Sequence, residues 1–431
     1  SGRPATSTHY VQVQPSEQTA VLLENLLVFY NRLAEQVGDD AQIMLESAVG
    51  TRRVGNIRER LGRIDRAERE YLKAAEKLQE LGAGAATDLA VWIELARSYN
   101  EVGNVRSARF EPEGAYRAHQ KALEALESAN ATAPLPEEYR YELARTYFFL
   151  GSKYIRRSTN QQWRGVAPSP EESAAPAGPD NQYRRQAIDL LEELTRVNPE
   201  AADYRFLLAL CYRPLGLGPE LERQPSASRN RERSLEILEA LRAEYPQVAD
   251  YRYELAATYA WVHVGLFPWQ GHSTAVAKAE DGLRKALEEA RWLVDHNPTI
   301  PSYVRCQALI LAKLGTVCCE TNRLMEATGF FERALQTQID LVRRFPHLPA
   351  HDRVLLEFFR LRLATVYGRQ RPASDVTAPS NNPRRLLNTC VRNLRSLTSE
   401  PAVANDRLAS STLRVARTAL SWSTENPARV R

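Results

Sequence analysis

The sequence lacks any apolar run approaching the roughly 18 residues that a membrane-spanning helix needs. It also lacks a disulfide framework. Its five cysteines, Cys211, Cys306, Cys318, Cys319 and Cys390, are odd in number, two are adjacent, and none has CxxC spacing. That pattern fits neither paired bridges nor a zinc or redox site, and the thiols read as small apolar core residues. Charge of one sign is lacking as well. A net +4 over 431 residues does not by itself call for a nucleic-acid or membrane partner. The opening SGRPATSTHY has neither the apolar core of a secretory leader nor an initiating Met, so it reads as the start of a region excised from a longer protein.

Motifs that carry chemistry are missing too. There is no GxSxG, no HExxH and no phosphate-cradling glycine loop. His347 and His351 stand four apart, but Pro349 between them places the pair in a turn rather than on one helical face. No catalytic residue, cofactor or metal is therefore assigned. Glu94, Glu142 and Glu254 recur just before a Leu-Ala step. A catalytic acid pair is a single constellation, so recurrence argues for a solvated or ion-paired role.

What is present is a repeat. YRYELARTYFFLG begins at Tyr139, YRFLLALCYRPLG at Tyr204 and YRYELAATYAWVHVG at Tyr251. Each centres on a small residue (Ala144, Ala209, Ala256) followed three positions later by Tyr147, Tyr212 or Tyr259, on one helical face. A second pattern answers the first. Gly55 is followed by Ala67, Tyr71 and Ala74, and Gly315 by Ala327, Phe331 and Ala334, at the same offsets. His119 occupies the aromatic position of that pattern and is read as packed there. A closing proline follows Ala187, Leu191 and Leu194 as Pro199, follows Ser234, Leu238 and Leu241 as Pro246, and follows Ala286, Ala290 and Leu293 as Pro298. Proline stops the second helix and turns the chain into the next pair.

Small residues that let two antiparallel helices approach, with an aromatic filling the wedge, resemble the tetratricopeptide repeat. The fold class expected is all-α: a tetratricopeptide-type helix-turn-helix solenoid, a right-handed superhelix of about seven repeats. Residues 1–41 form a tail and leading helix, 42–401 the repeat array, and 402–431 a capping helix and tail. Insertions are expected near 152–182, 217–230, 266–281 and 371–383, where a solenoid tolerates them because each repeat touches only its neighbours.

LLENLLVFYNRLAEQVGDD and RRVGNIRERLGRIDRAEREYLKAAEKL, with the later NPEAADYRFLLALCY and YPQVADYRYELAATY, resemble the repeat region of planctomycete serine/threonine protein kinases. The glycine-rich loop, HRD and DFG of a kinase domain do not occur, so the resemblance implies a recruiting region and not the kinase activity. The cysteine pattern favours a cytoplasmic setting, and the resemblance leaves an extracytoplasmic one open.

The first helix of each pair lines the inner side of such an array. Residues beside the small central position then face a groove: Arg52, Asn56, Tyr141, Arg145, Phe206, Arg213, Tyr253 and Trp261. Aromatic and arginine side chains are the usual anchors of a protein or peptide partner. The alternative for Tyr141, Phe206 and Tyr253 is packing between neighbouring repeats. Arg52 and Asn56 supply half of a clamp for a terminal carboxylate, but Glu94 and Glu142 stand in the next repeats where cations or amides would be wanted. The C-terminal end differs. From Asn381 to Arg431 it holds nine arginines against Glu400, Asp406 and Glu425. It reads as a final repeat with a soluble cap, SSTLRVARTALSW, with Leu413, Val415, Ala416 and Leu420 on the apolar side, or else as a surface for nucleic acid, an acidic protein or anionic lipid. The basic and aromatic residues form no single stripe, which disfavours nucleic acid.

Overall fold

The computed structural model describes residues 41–60, 63–83, 88–109, 111–129, 134–151, 179–213, 225–262, 273–346, 348, 350–370, 382–399 and 407–425, with six helical positions between 22 and 32. The helices of these segments are α1 (Ala41–Arg60), α2 (Ile64–Gly82), α3 (Leu89–Ala108), α4 (Pro112–Ser128), α5 (Glu137–Gly151), α6 (Pro179–Val197), α7 (Ala202–Tyr212), α8 (Pro225–Glu244), α9 (Ala249–Val262), α10 (Ser273–His296), α11 (Pro301–Glu320), α12 (Leu324–Arg344), α13 (Ala350–Gln370), α14 (Pro383–Thr398) and α15 (Arg407–Glu425). They form seven successive pairs and one closing helix, a tetratricopeptide-type solenoid without strands among the described residues. The chain divides after Leu241 into two compact units, the first holding α1 to α7 and most of α8, the second α9 to α15.

The wedge between paired helices follows from three residue pairs sixteen positions apart. A Cβ added to Gly55 would fall 2.4 Å from the Tyr71 ring, one on Gly103 2.2 Å from the His119 ring, and one on Gly315 3.0 Å from the Phe331 ring. Only glycine leaves room for the ring, and Tyr71, His119 and Phe331 are all buried. In the first unit Ala75, Leu78, Leu95, Ala96, Ala122 and Leu126 make one core cluster, and Ala144, Ala187, Leu191, Leu194, Leu207 and Cys211 another. In the second unit Ala286, Leu293, Leu314, Phe331, Ala334 and Phe359 are fully buried. All five cysteines are free thiols in these interiors.

The turns inside the pairs are equally specific. Between α11 and α12, Asn322 takes φ 57°, a left-handed conformation that asparagine tolerates. There Arg323 N–H donates to the Cys318 carbonyl at 2.8 Å and Asn322 N–H to the Cys319 carbonyl at 3.2 Å. This is the paired-bond C-terminal motif that satisfies the last carbonyls of a helix. In the first repeat Arg63 N–H reaches the Arg58 carbonyl at 2.8 Å, the same spacing as the bond from Arg323 to Cys318. Asp88 caps α3 and Asn382 caps α14, each accepting from backbone N–H groups of the first turn.

Of the insertions expected near 152–182, 217–230, 266–281 and 371–383, residues 152–178, 217–224, 266–272 and 371–381 lie outside the described residues, as do residues 400–406 and 426–431. The ends of those expected segments are helical, because α8 already begins at Pro225 and α10 at Ser273. Proline is well placed at a first helical turn and does not mark a loop at 225. His351 stands in the first turn of α13, whereas His347 and Pro349 lie outside the described residues. On α15 the expected apolar side is corrected at one position. Ala409, Leu413 and Ala416 are buried at helical spacing, but Val415 is 52% exposed, since it projects from the opposite side of that stripe.

Candidate partner-binding face

In the first unit the first helices of three pairs, α1, α3 and α5, are joined by a ladder of charged side chains. Arg52 Nε donates to Glu94 Oε2 at 2.9 Å, and Arg97 Nη1 donates to Glu94 Oε1 at 2.6 Å. Arg97 also reaches Glu138 at 2.7 Å and Glu142 at 3.4 Å. Arg145 donates to Glu101 at 2.6 Å and Glu142 at 3.3 Å. Asn100 Nδ2 donates to Glu142 Oε1 and to Thr146 Oγ1, both at 2.8 Å, and its Oδ1 lies 3.0 Å from His119 Nδ1. Because Glu142 requires the amide nitrogen on its side, the amide oxygen turns to His119, whose Nδ1 then carries the hydrogen.

The electrostatics follow from burial set against charge. Burial pushes the Glu94 carboxyl up, but Arg52 and Arg97 outweigh it and hold the group below its ordinary value. Glu101 is likewise held low against burial, chiefly by Arg145. Burial disfavours the Arg97 and Arg145 cations, and their carboxylates more than restore them. Glu94 and Glu142 are thus ion-paired. The three guanidinium groups of this face are already held by carboxylates, so none is left over to grip a ligand's terminal carboxylate.

The other residues read from sequence fall as follows. Asn56 accepts from the Tyr71 hydroxyl at 2.9 Å and stands on α1 one turn from Arg52. Tyr141 is half-buried, its ring 4.9 Å from that of Tyr204 on the next first helix, and burial pushes its hydroxyl well up. Tyr253 lies in the second unit, its ring 5.5 Å from Tyr303. Both rings therefore pack between neighbouring repeats while keeping an exposed edge. Phe206 is 3% exposed, Arg213 5% and Arg145 7%. Trp261 is in α9, and its side chain lies outside the described residues.

Sequence reasoning missed Arg97, Asn100, Glu101 and Asn104. The signal was spacing on α3, where Glu94 and Glu101, and Arg97 and Asn104, stand seven apart and so share a face. In the second unit Arg305 holds Asp352 through two bonds of 2.6 and 2.8 Å. Beside it on α11, burial pushes the Lys313 ammonium down to about 8 and the Cys306 thiol up to about 12.

A cavity of about 350 Å³ in the first unit is lined by Gly82, Trp92, Leu95, Tyr99, Lys121 and Glu124, among others, from α2, α3 and α4. Among the described residues no group of three or more His, Cys, Asp or Glu is placed to hold a metal ion. No helix there is long and apolar enough to cross a membrane.

No protein-family model and no curated protein matches this chain. Solved structures do. The nuclear import adaptor Nro1 of S. pombe is 12% identical over 71% of this chain and 100% of its own, with a TM-score of 0.43. The signal transduction ATPase PH0952 of Pyrococcus horikoshii, which has a tetratricopeptide repeat sensor, is 11% identical over 95% of this chain and 54% of its own, with a TM-score of 0.47. Yeast Tom70 is 13% identical over 95% and 74%, with a TM-score of 0.38.

Proposed function

We propose that this chain is a non-catalytic protein-interaction scaffold that receives a peptide or helix of a partner along its first helices. The observation that carries the reading is the α1–α3–α5 ladder. Its charged groups are locked by one another, so the face is rigid before anything binds, and the ordering cost of association is reduced. Half-buried Tyr141 in the first unit, and Tyr253 in the second, present ring edges beside such surfaces, the kind of anchor that dominates protein contacts. With its guanidiniums already paired, the first unit would favour a partner segment of mixed polarity over one ending in a free carboxylate. The likeness of its phrases to repeats of planctomycete kinases makes recruitment within a bacterial signalling protein the setting we favour.

The test is photo-crosslinking from positions 141 and 253 in lysate of the source cell, with identification of the captured partner. Tyr141→Ala and Tyr253→Ala, each checked for unchanged melting, are then titrated against that partner. Loss of affinity by tenfold or more in either supports the reading. Undiminished affinity in both sinks it.

A further inference from the structure

We infer that the outward faces of α14 and α15 form a docking surface for the phosphate backbone of double-stranded nucleic acid. This surface is separate from the face proposed above and does not depend on it. In the first unit Arg52, Arg97 and Arg145 are held by carboxylates, as are Arg305 and Arg323 in the second. The described side chains of α14 and α15 include no carboxylate, and Arg385, Arg392 and Arg395 of α14 and Arg414 and Arg417 of α15 are all exposed. Arg395, Arg414 and Arg417 have no carboxylate partner among the described residues. Arg392 acts electrostatically on the buried Glu357 carboxylate, whose Oε1 accepts from Arg360 and, at 3.0 Å, from Asn393.

The arginines are sorted onto one side of each helix. Leu387, Cys390, Val391, Leu394 and Leu397 of α14 turn inward, as do Ala409, Thr412, Leu413 and Ala416 of α15. Opposite them, Arg385, Arg392 and Arg395 rise along α14 at intervals of about 10 and 4.5 Å, and Arg414 and Arg417 sit about 4.5 Å apart on α15. Their exposed neighbours are Asn388, Ser396, Ser399, Ser410 and Thr418. Guanidinium forks interleaved with hydroxyl and amide donors are the groups that hold phosphate oxygens.

The same faces lack what other partners need. Val415 is the single large apolar side chain exposed there among the described residues, too little to enter a bilayer. No described side chain of the two helices is aromatic, so none of them stacks on unpaired bases. A duplex, with its dense line of phosphates, asks only for the cations and donors present.

The test is fluorescence anisotropy of the full chain with a labelled duplex of roughly 20 base pairs, DNA and RNA in turn, from about 50 to about 200 mM salt. Two variants are compared, each lowering the net charge from +4 to 0 by four Gln substitutions. One carries Arg392→Gln, Arg395→Gln, Arg414→Gln and Arg417→Gln. The other carries Arg66→Gln, Arg69→Gln, Lys73→Gln and Arg117→Gln on exposed positions of the first unit. The arginine-face variant is expected to lose at least tenfold in affinity and about three to four units of the log–log salt slope, at roughly 0.9 per phosphate contact, while the control binds as before. Changing the same four arginines to Lys guards against misfolding and is expected to restore most of the binding. Equal losses in the two Gln variants, undiminished binding by the first, or no duplex binding at about 50 mM salt would each overturn the inference. So would capture by phosphatidylserine vesicles with no duplex binding, which would make the face a membrane contact.

Discussion

The imidazole of His119 lies flat on the ring of Phe149, centroids 4.7 Å apart and planes 16° from parallel. One ring belongs to α4 and the other to α5, so this stack joins the second repeat to the third, while the imidazole also closes on Gly103.

That closure predicts opposite outcomes at two helical glycines. Gly103→Ala would place a methyl 2.2 Å from the His119 ring and should destabilise the first unit by about 1–3 kcal/mol through overpacking. Gly329→Ala on α12 meets nothing within 4 Å and should stabilise the second unit by up to about 1 kcal/mol. Urea unfolding of each variant checks both signs.

The ladder predicts a large loss when one side of a pair is removed. Arg145→Met leaves Glu101 without its strongest partner and Glu142 with one fewer, all three groups being largely withdrawn from water. A loss of about 3–5 kcal/mol is expected. Adding Glu101→Gln should recover part of it, and a double-mutant cycle on thermal unfolding measures how much. A result under 1 kcal/mol for the single change would show that the pairing contributes little.

The depressed carboxyls of Glu94 and Glu101 set a pH dependence. A group whose folded pKa lies below its unfolded value binds fewer protons when folded. Its contribution is therefore present above the ordinary carboxylate pKa, about 4.3, and is lost as pH falls through the folded value. Melting followed by circular dichroism from pH 7 down to 3 should show the first unit weakening below about 4.3, and Glu94→Gln should flatten that slope.

The thiols should be inert in the folded chain. All five are buried, and burial pushes Cys211, Cys306 and Cys390 up to about 12 and Cys318 up to about 11. A disulfide reagent at pH 8 should therefore label none until denaturant is added. Rapid labelling of any native thiol would contradict the packing.

Much of this was legible beforehand because repeats write the same physics several times. The sixteen-residue step from a glycine to a wedge aromatic could be read at Gly55 and Gly315, and it placed His119 correctly. Recurrence left a solvated or an ion-paired role open for Glu94 and Glu142, and both are ion-paired. Their partners were not legible. Arg97 reaches Glu142 across 45 positions and Arg145 reaches Glu101 across 44, and a single sequence does not say which cation and carboxylate will meet between neighbouring helices. Val415 misled because an apolar residue one position off the stripe looks, in the linear string, like part of it. The insertion expected near 217–230 ran into α8, which begins at Pro225, because proline ends some helices and begins others.

The ladder in the first unit has a consequence for how that unit comes apart. Arg52, Arg97, Asn100 and Arg145 each reach to the adjacent first helix and no further. Order would then propagate from one pair to the next like a zipper, and a break at one step would leave the earlier steps closed. Hydrogen exchange in this unit should accordingly be graded from pair to pair rather than released all at once.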